Sequence, residues 1–376
     1  MLIKRYDAID ILRAIAIIGM IQVHFVEILS SYYNSTTLLS QLSNIFGSLP
    51  APLFTFLVGM SLFISVKKQE LSGIELQAIA DRNLRRGVAI FFLGLVHAAL
   101  IWTPAEVFGW DILTLIGATF LIVFPLRKLS NSSLSAIIVV ILAMSPLLRY
   151  WSDYHSSWNH WGEYVPAADL KGALLGFTLN GYFPLLPWLL FPLCGYLVGK
   201  ACFGGDKPRL PHFILPVGAA LVILALGLMI TNSVLNITTE PATWYLSPFT
   251  FYPASTAFLL ITLGINLLLF WFFYRRFDLD QLEPKTGKFL NFCRRYSRYA
   301  LTAYVVHHAV LVWPLLAAAS FTGKGDQWFF YGEVLPTHYS LLLALLFIAL
   351  FYVAVIYWDK RGGCYSFEWL LKRLTG

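Results

Sequence analysis

The stretch DAIDILRAIAIIGMIQVHFVE, Asp7–Glu27, is apolar over the length of a membrane span, yet it carries Asp10 and Arg13 near its start and His24 and Glu27 near its far end. Ionisable groups at membrane depth are costly, and where they persist they usually mark a site. Ten residues lie between Arg13 and His24, so on a helix the two stand roughly 16 Å apart, about half of a hydrocarbon core near 30 Å thick. Asp10 and Arg13 are one turn apart and can pair, and His24 and Glu27 stand in the same relation. Two local pairs that merely hide charge between helices account for this stretch as well as a site does. The rest of the chain has to decide.

Of the 376 residues, 58% are apolar and only 12% charged, and the mean hydropathy is +0.68. A soluble domain carries about a quarter charged residues, so the composition predicts an all-α fold, a polytopic transmembrane helical bundle. The first apolar segment is too long for a removed signal peptide and lacks a small-residue cleavage site, so an uncleaved first span is expected. No internal repeat or low-complexity linker divides the chain, and residues 1–376 read as a single integral-membrane domain.

Ten spans are expected, at about 9–30, 48–66, 87–104, 109–126, 133–149, 184–203, 212–231, 253–274, 299–320 and 339–358. A polar loop with Asn34, Ser35 and Gln41 follows the first. Between the second and third lies KKQELSGIELQAIADRNLRR, whose charges and helix formers suit an amphipathic segment on the membrane surface. After the fifth comes a loop with Trp151, Trp158, Trp161 and Tyr164, residues at home at the interface. His155 and His160 in that loop read as surface residues, with sugar stacking as the minor alternative.

If the loops alternate sides, all of the 27 Lys and Arg except Arg149, Lys171 and Lys324 fall on one side. The positive-inside rule then places both termini in the cytoplasm and the protein in the cell's inner membrane. The net charge of +7 follows from this topology. It gives a basic face toward the anionic inner leaflet and no reason to invoke nucleic acid. Cys194, Cys202, Cys293 and Cys364 fall within spans or on the cytoplasmic side, where no disulfide is expected. No CxxC or His/Cys cluster suggests a metal.

The Arg13-x10-His24 spacing within IDILRAIAIIGMIQVHF resembles the first helix of the transmembrane acyltransferase superfamily, which includes the acyltransferase-3 proteins and the heparan-α-glucosaminide N-acetyltransferase family. Arg82-Asn83-Leu84-Arg85 stands at the cytoplasmic start of the third span, where acyltransferase-3 proteins carry an RxxR pair; alone, such a pair is an ordinary topology anchor. PLFTFLVGMSL, Pro52–Leu62, resembles the second span of the bacterial N-acetyltransferase-like proteins, and GYFPLLPWLLFPLCGYLVGK, Gly181–Lys200, resembles one of their Pro-rich span starts. YSRYALTAYVVHH and FEWLLKRLTG resemble the closing segments of bacterial inner-membrane proteins of the same superfamily. The large luminal extension of the animal enzyme is absent, so the acceptor is not carried over with the resemblance.

The resemblance implies an acyl-CoA donor, acetyl-CoA first, as a co-substrate with no bound cofactor, and a sugar or cell-envelope glycan as acceptor. The donor's polyanionic end needs cations at the inner face, where Arg13, Arg82, Arg85 and Arg86 are placed and where guanidinium forks pair phosphates well. His24, whose charge state small perturbations tune around neutrality, is the expected catalytic group. Asp10 supports Arg13, and Glu27 either orients the His24 ring or stands at a solvated rim. His97 and Asp111 are candidates for the acceptor pocket, though a lone intramembrane histidine is as often structural. Tyr304, His307 and His308 sit in the ninth span, and of two adjacent histidines at most one is expected to face the site. The rival reading is a secondary transporter or exporter whose buried charges form a substrate path. That reading predicts internal repeats, which the sequence lacks. Acceptor identity, acyl length, O- versus N-transfer and any homo-oligomer stay open.

Overall fold

The computed structural model describes residues 5–30, 37–160, 162–167, 169–279, 287–322 and 335–376. Asn34, Ser35, Trp161 and Lys324, which the sequence places in loops, lie outside them. Among the described residues there is no strand, only one isolated bridge between Trp158 and Tyr164.

The helices in order are α1 (Asp7–Ser30), α2 (Leu38–Gly47), α3 (Pro50–Leu71), α4 (Leu76–Ile101), α5 (Ile112–Val123), α6 (Asn131–Trp151), α7 (Leu170–Leu175) and α8 (Leu185–Trp188). They continue with α9 (Leu190–Phe203), α10 (Ile214–Leu235), α11 (Ala242–Leu246), α12 (Thr256–Tyr274), α13 (Lys288–Arg298), α14 (Ala300–Thr322), α15 (Thr337–Lys360) and α16 (Phe367–Thr375). Side chains start several of them. Ser130, Ser255 and Asp111 accept hydrogen bonds from backbone N–H groups in the first turns of α6, α12 and α5, satisfying donors that a helix start leaves bare.

Among the described residues, nine helices are long and apolar enough to cross a membrane, some of them joined from two adjacent elements. They coincide with nine of the ten expected spans. The exception is the fourth, which is α5: 12 residues between 3-10 turns at Pro104–Gly109 and Pro125–Lys128. Twelve residues rise only about 18 Å, well short of a core near 30 Å. Asp111 caps its start and Pro125 ends it, because a proline cannot donate to the preceding turn.

By internal contacts the chain forms two compact units. One comprises Thr55–Asp280 with Met1–Arg5 and Leu374–Gly376; the other comprises Tyr6–Phe54 with Gln281–Arg373.

In the larger unit, glycines let helices approach closely. A Cβ on Gly59 of α3 would overlap the Pro192 carbonyl oxygen of α9, and one on Gly195 of α9 would overlap the Phe56 carbonyl oxygen of α3. Small residues at a crossing are how membrane helices gain contact where lipid offers no hydrophobic drive. Gly218 of α10 and Gly264 of α12 form a second such crossing, with each prospective Cβ about 3 Å from the other's carbonyl oxygen (3.1 and 2.7 Å). The segment after α6 is a packed aromatic cluster, drier than the interfacial loop expected there. Tyr154 and Tyr164 are each 3% exposed, Tyr154 stacks on Trp158 at 5.4 Å and Trp158 meets Tyr252 at 5.4 Å. His155 and His160 are exposed, as expected.

In the smaller unit, α1 is central and contacts α2, α13, α14 and α15. The short helix α13 ties the start of α1 to the end of α15. Arg294 donates two hydrogen bonds to Asp7, at 2.7 and 2.9 Å, and Arg295 and Arg298 reach Asp359 at 3.0 and 2.7 Å. The start of α1 and the end of α15 therefore lie at the same end of this unit. A membrane chain with that property crosses an even number of times between them, which the nine long helices satisfy with α5 as the tenth.

Candidate functional site

Both ends of the α1 motif are held by the later helices of the smaller unit. At the first end, Arg13 donates from Nη1 to Ser297 Oγ of α13 at 2.8 Å. Asp7 and Asp10 are 7% and 4% exposed, and Asp7 holds Arg294. Cys293 lies in the same cluster. Burial, with Asp10 and Asp7 adding to it, pushes its thiol up to about 11. A thiol so placed is not a nucleophile at neutral pH, since the thiolate is the reactive form.

At the other end, His24 meets two histidines. Its Nδ1 is 2.8 Å from His307 Nε2, and the two rings lie nearly parallel, 5° apart with centroids at 5.1 Å. The His308 ring is 4.6 Å from the His24 ring and 4.0 Å from that of His307. Each histidine of α14 points its Nδ1 at the carbonyl four residues earlier, His307 at Ala303 (2.9 Å) and His308 at Tyr304 (3.1 Å). Tyr304 closes the group edge-on, 4.9 Å from His308. His307 and His308 are 0% and 2% exposed, and His24 is half-buried.

The expectation that only one of the adjacent histidines faces the site does not hold. Successive residues on a helix are about 100° apart, and the His24 ring sits in the sector between them. Glu27 does not orient His24: it is exposed and has no hydrogen bond or ion pair among the described residues. The positioning contact comes instead from α14.

The three histidines could hold a metal, because their ligand nitrogens all lie within 4.8 Å of one another. Nδ1–H groups bonded to carbonyls are also the usual support of metal-bound imidazoles. The 2.8 Å between His24 and His307 is nevertheless a hydrogen-bond distance. Two nitrogens each about 2.0–2.1 Å from a tetrahedral ion stand roughly 3.3 Å apart.

Glu368 of α16 supports the helix that carries the histidines. Its carboxylate accepts from the N–H groups of Leu301 (2.6 Å) and Thr302 (3.0 Å) and from the Thr302 hydroxyl, while Phe367 N–H donates to Thr302 Oγ1 at 2.9 Å. An acidic side chain at a helix start satisfies bare donors and complements the dipole. Neither Ser297 nor Glu368 stands out in the sequence, although both lie within the two closing segments quoted above.

The remaining candidates belong to the larger unit. Arg82 donates to Gln69 Oε1 at 3.1 Å, Arg85 is exposed, and Arg86 is exposed and lies over the Phe120 ring at 5.3 Å. His97 is buried with its Nδ1 3.6 Å from Asp111, and Asp111 also caps α5 by accepting from Leu113 N–H at 2.7 Å. A structural role accounts for that pair. Nearby in sequence, burial and then the Glu163 carboxylate raise the Glu106 carboxyl above its ordinary range.

A family model described as heparan-alpha-glucosaminide N-acetyltransferase, catalytic, matches residues 5–227, more than half of the chain. The chain belongs to this family. A search of curated proteins finds no match. Together with the nine apolar helices, membership makes the chain a multi-pass membrane protein of an acetyltransferase family. The matched region contains Arg13, His24, the Arg82/Arg85 pair, His97 and Asp111, and it ends before the α14 histidines.

Proposed function

We propose that this protein transfers an acetyl group from cytoplasmic acetyl-CoA to an amine or hydroxyl of a sugar or envelope glycan, at or across the inner membrane, with His24 as general base. The observation that carries the reading is the His24 ring, held by buried histidines midway along an apolar helix of the family's catalytic region. In this scheme His24 Nε2 takes a proton from the acceptor's amine or hydroxyl as its nitrogen or oxygen bonds to the thioester carbonyl carbon. The carbon–sulfur bond then breaks, and the same nitrogen returns the proton to the departing thiolate, releasing CoA as a thiol. One base handles both transfers, and a positioned base is worth about 10²–10⁴-fold. Arg82 and Arg85, one turn apart, bind the donor's phosphates, with Arg86 and Arg13 contributing positive charge. The family's printed description favours an amine as the accepting group.

Purified protein given acetyl-CoA and a glycan ending in glucosamine is expected to release free CoA in step with acetylated sugar. No release with any amino- or hydroxyl-bearing glycan overturns the reading. In the same preparation, Arg82→Ala with Arg85→Ala is expected to weaken donor binding by calorimetry without loss of folding. The loss should be smaller at high salt, where wild-type binding is already screened. Unchanged affinity would leave the pair as a topology anchor.

Both termini face the cytoplasm in this reading. The ends of α1 and α15 that meet at α13 carry Arg294, Arg295, Arg298, Lys360 and Arg361 at one end of their unit, and basic residues stay inside. A reporter active only in the periplasm, fused to the C-terminus, is expected to stay silent; strong activity reverses the orientation.

A further inference from the structure

We propose that His307 is a positioning residue that fixes the tautomer of His24, so that His24 meets its substrate with a hydrogen on Nδ1 and a bare lone pair on Nε2. This rests on His24 being the base, and it names the group that makes it one. The argument follows hydrogens around three heavy-atom positions.

A backbone carbonyl oxygen can only accept. The 2.9 Å contact between His307 Nδ1 and the Ala303 carbonyl therefore requires a hydrogen on Nδ1. A neutral imidazole has one N–H, so its other nitrogen is an acceptor, and His307 Nε2 presents a lone pair. His24 Nδ1, 2.8 Å away, must then be the donor. The remaining nitrogen of His24, Nε2, is left without a hydrogen. His308 is fixed in the same tautomer by its contact with the Tyr304 carbonyl, so it too presents a lone pair at Nε2 and offers His24 no competing donor. The opposite arrangement needs a doubly protonated His307. That would place a cation on a side chain with 0% exposure, where an isolated charge costs far more than in water.

A free histidine in water prefers the reverse tautomer, with its hydrogen on Nε2. Left to itself, His24 would face an acceptor amine with a donor and could not take its proton. The α14 hydrogen bond reverses that preference, much as a carboxylate does for the histidine of a hydrolase triad. It does so without a charge, which suits a span. When Nε2 takes the substrate proton, the Nδ1–H bond to His307 persists and the ring stays in place to return that proton to sulfur.

The test uses full-length protein in lipid nanodiscs with ¹⁵N-labelled histidine, read by solid-state NMR, in which protonated and bare ring nitrogens are well separated. The His24 signals are assigned by their loss in His24→Gln. Wild-type His24 is expected to show a protonated Nδ1 and a bare Nε2, and in His307→Leu it should revert to a protonated Nε2. The same substitution should lower kcat about 10–100-fold with the donor KM unchanged. His307→Gln, whose amide oxygen can accept the same hydrogen, should restore the wild-type tautomer and most of kcat. A protonated Nε2 on His24 in the wild type overturns the proposal. So does a tautomer indifferent to His307→Leu, or one equivalent of bound zinc whose removal changes the His24 signals. Because the tautomer is read without turnover, a correct tautomer in a protein that does not need His24 for transfer would fault the general-base reading and leave the positioning contact intact.

Discussion

His24→Ala and His24→Gln are each expected to bind acetyl-CoA as the wild type does and to lose turnover by roughly 10²-fold or more, the scale on which removing a positioned acid or base is felt. The pair of substitutions separates two ways of failing. Alanine removes both ring nitrogens and leaves His307 Nε2 facing a void. Glutamine can still donate to His307 through its amide, so packing is largely kept, but it cannot take a proton. If turnover depends on proton transfer, the two should fall together; if His24 only fills space, glutamine should recover most of the rate. Calorimetry with acetyl-CoA and single-turnover acetyl transfer supply the two readouts. Near-normal transfer by the alanine protein would remove His24 from the chemistry. An acetyl group trapped on His24 after exposure to donor alone would make it a nucleophile that carries the acetyl itself.

The second large effect is structural, at the crossing of α3 and α9. Gly59→Ala and Gly195→Ala each place a Cβ against a helix carbonyl of the other element, Pro192 in one case and Phe56 in the other. A backbone oxygen cannot rotate away as a side chain can, so the helices must separate, and overpacking of this kind typically costs about 1–3 kcal/mol. Each variant should unfold several degrees below the wild type in detergent, followed by tryptophan fluorescence. The double variant should fall by less than the sum, because the first separation makes room for the second methyl. Gly227→Ala is the matched control: nothing lies within 4 Å of its prospective Cβ, and replacing a helical glycine in open space is neutral to mildly stabilising. Equal melting temperatures for Gly59→Ala and Gly227→Ala would mean that the crossing is not close-packed.

These two sites differ in how far the sequence announces them. His24 and Arg13 are legible because charge within an apolar run is conspicuous, and helical rise alone gives their separation. The contact between Gly59 and Gly195 is half legible. Each glycine lies in a segment that resembles the family, but nothing in either segment says that the two pack together. The partner of His24 is not legible at all, because it comes from a helix 283 residues away, and pairwise spacing within α1 points to Glu27 instead. Likewise, hydropathy sees α5 as a span like the others, whereas its length is set by a capping aspartate and a proline that hydropathy averages over. Helix content and the number of long apolar segments follow from composition and periodicity. Which histidine touches which follows from tertiary contacts that no local window contains.

The capping of α14 by Glu368 bears on genetics as well as on mechanism. Residues Phe367–Gly376 contain none of the histidines, and an early stop that removed them would spare every group assigned to donor or base. It would nevertheless strip the start of the histidine-bearing helix of the carboxylate that holds Leu301 and Thr302, one and a half turns before His307. Nonsense alleles at the extreme end of the gene should therefore score with missense alleles at the histidines, full-length in abundance or nearly so and inactive. For the same reason, a purification tag joined directly to α16 would strain the catalytic helix, whereas one set off by a flexible spacer would not.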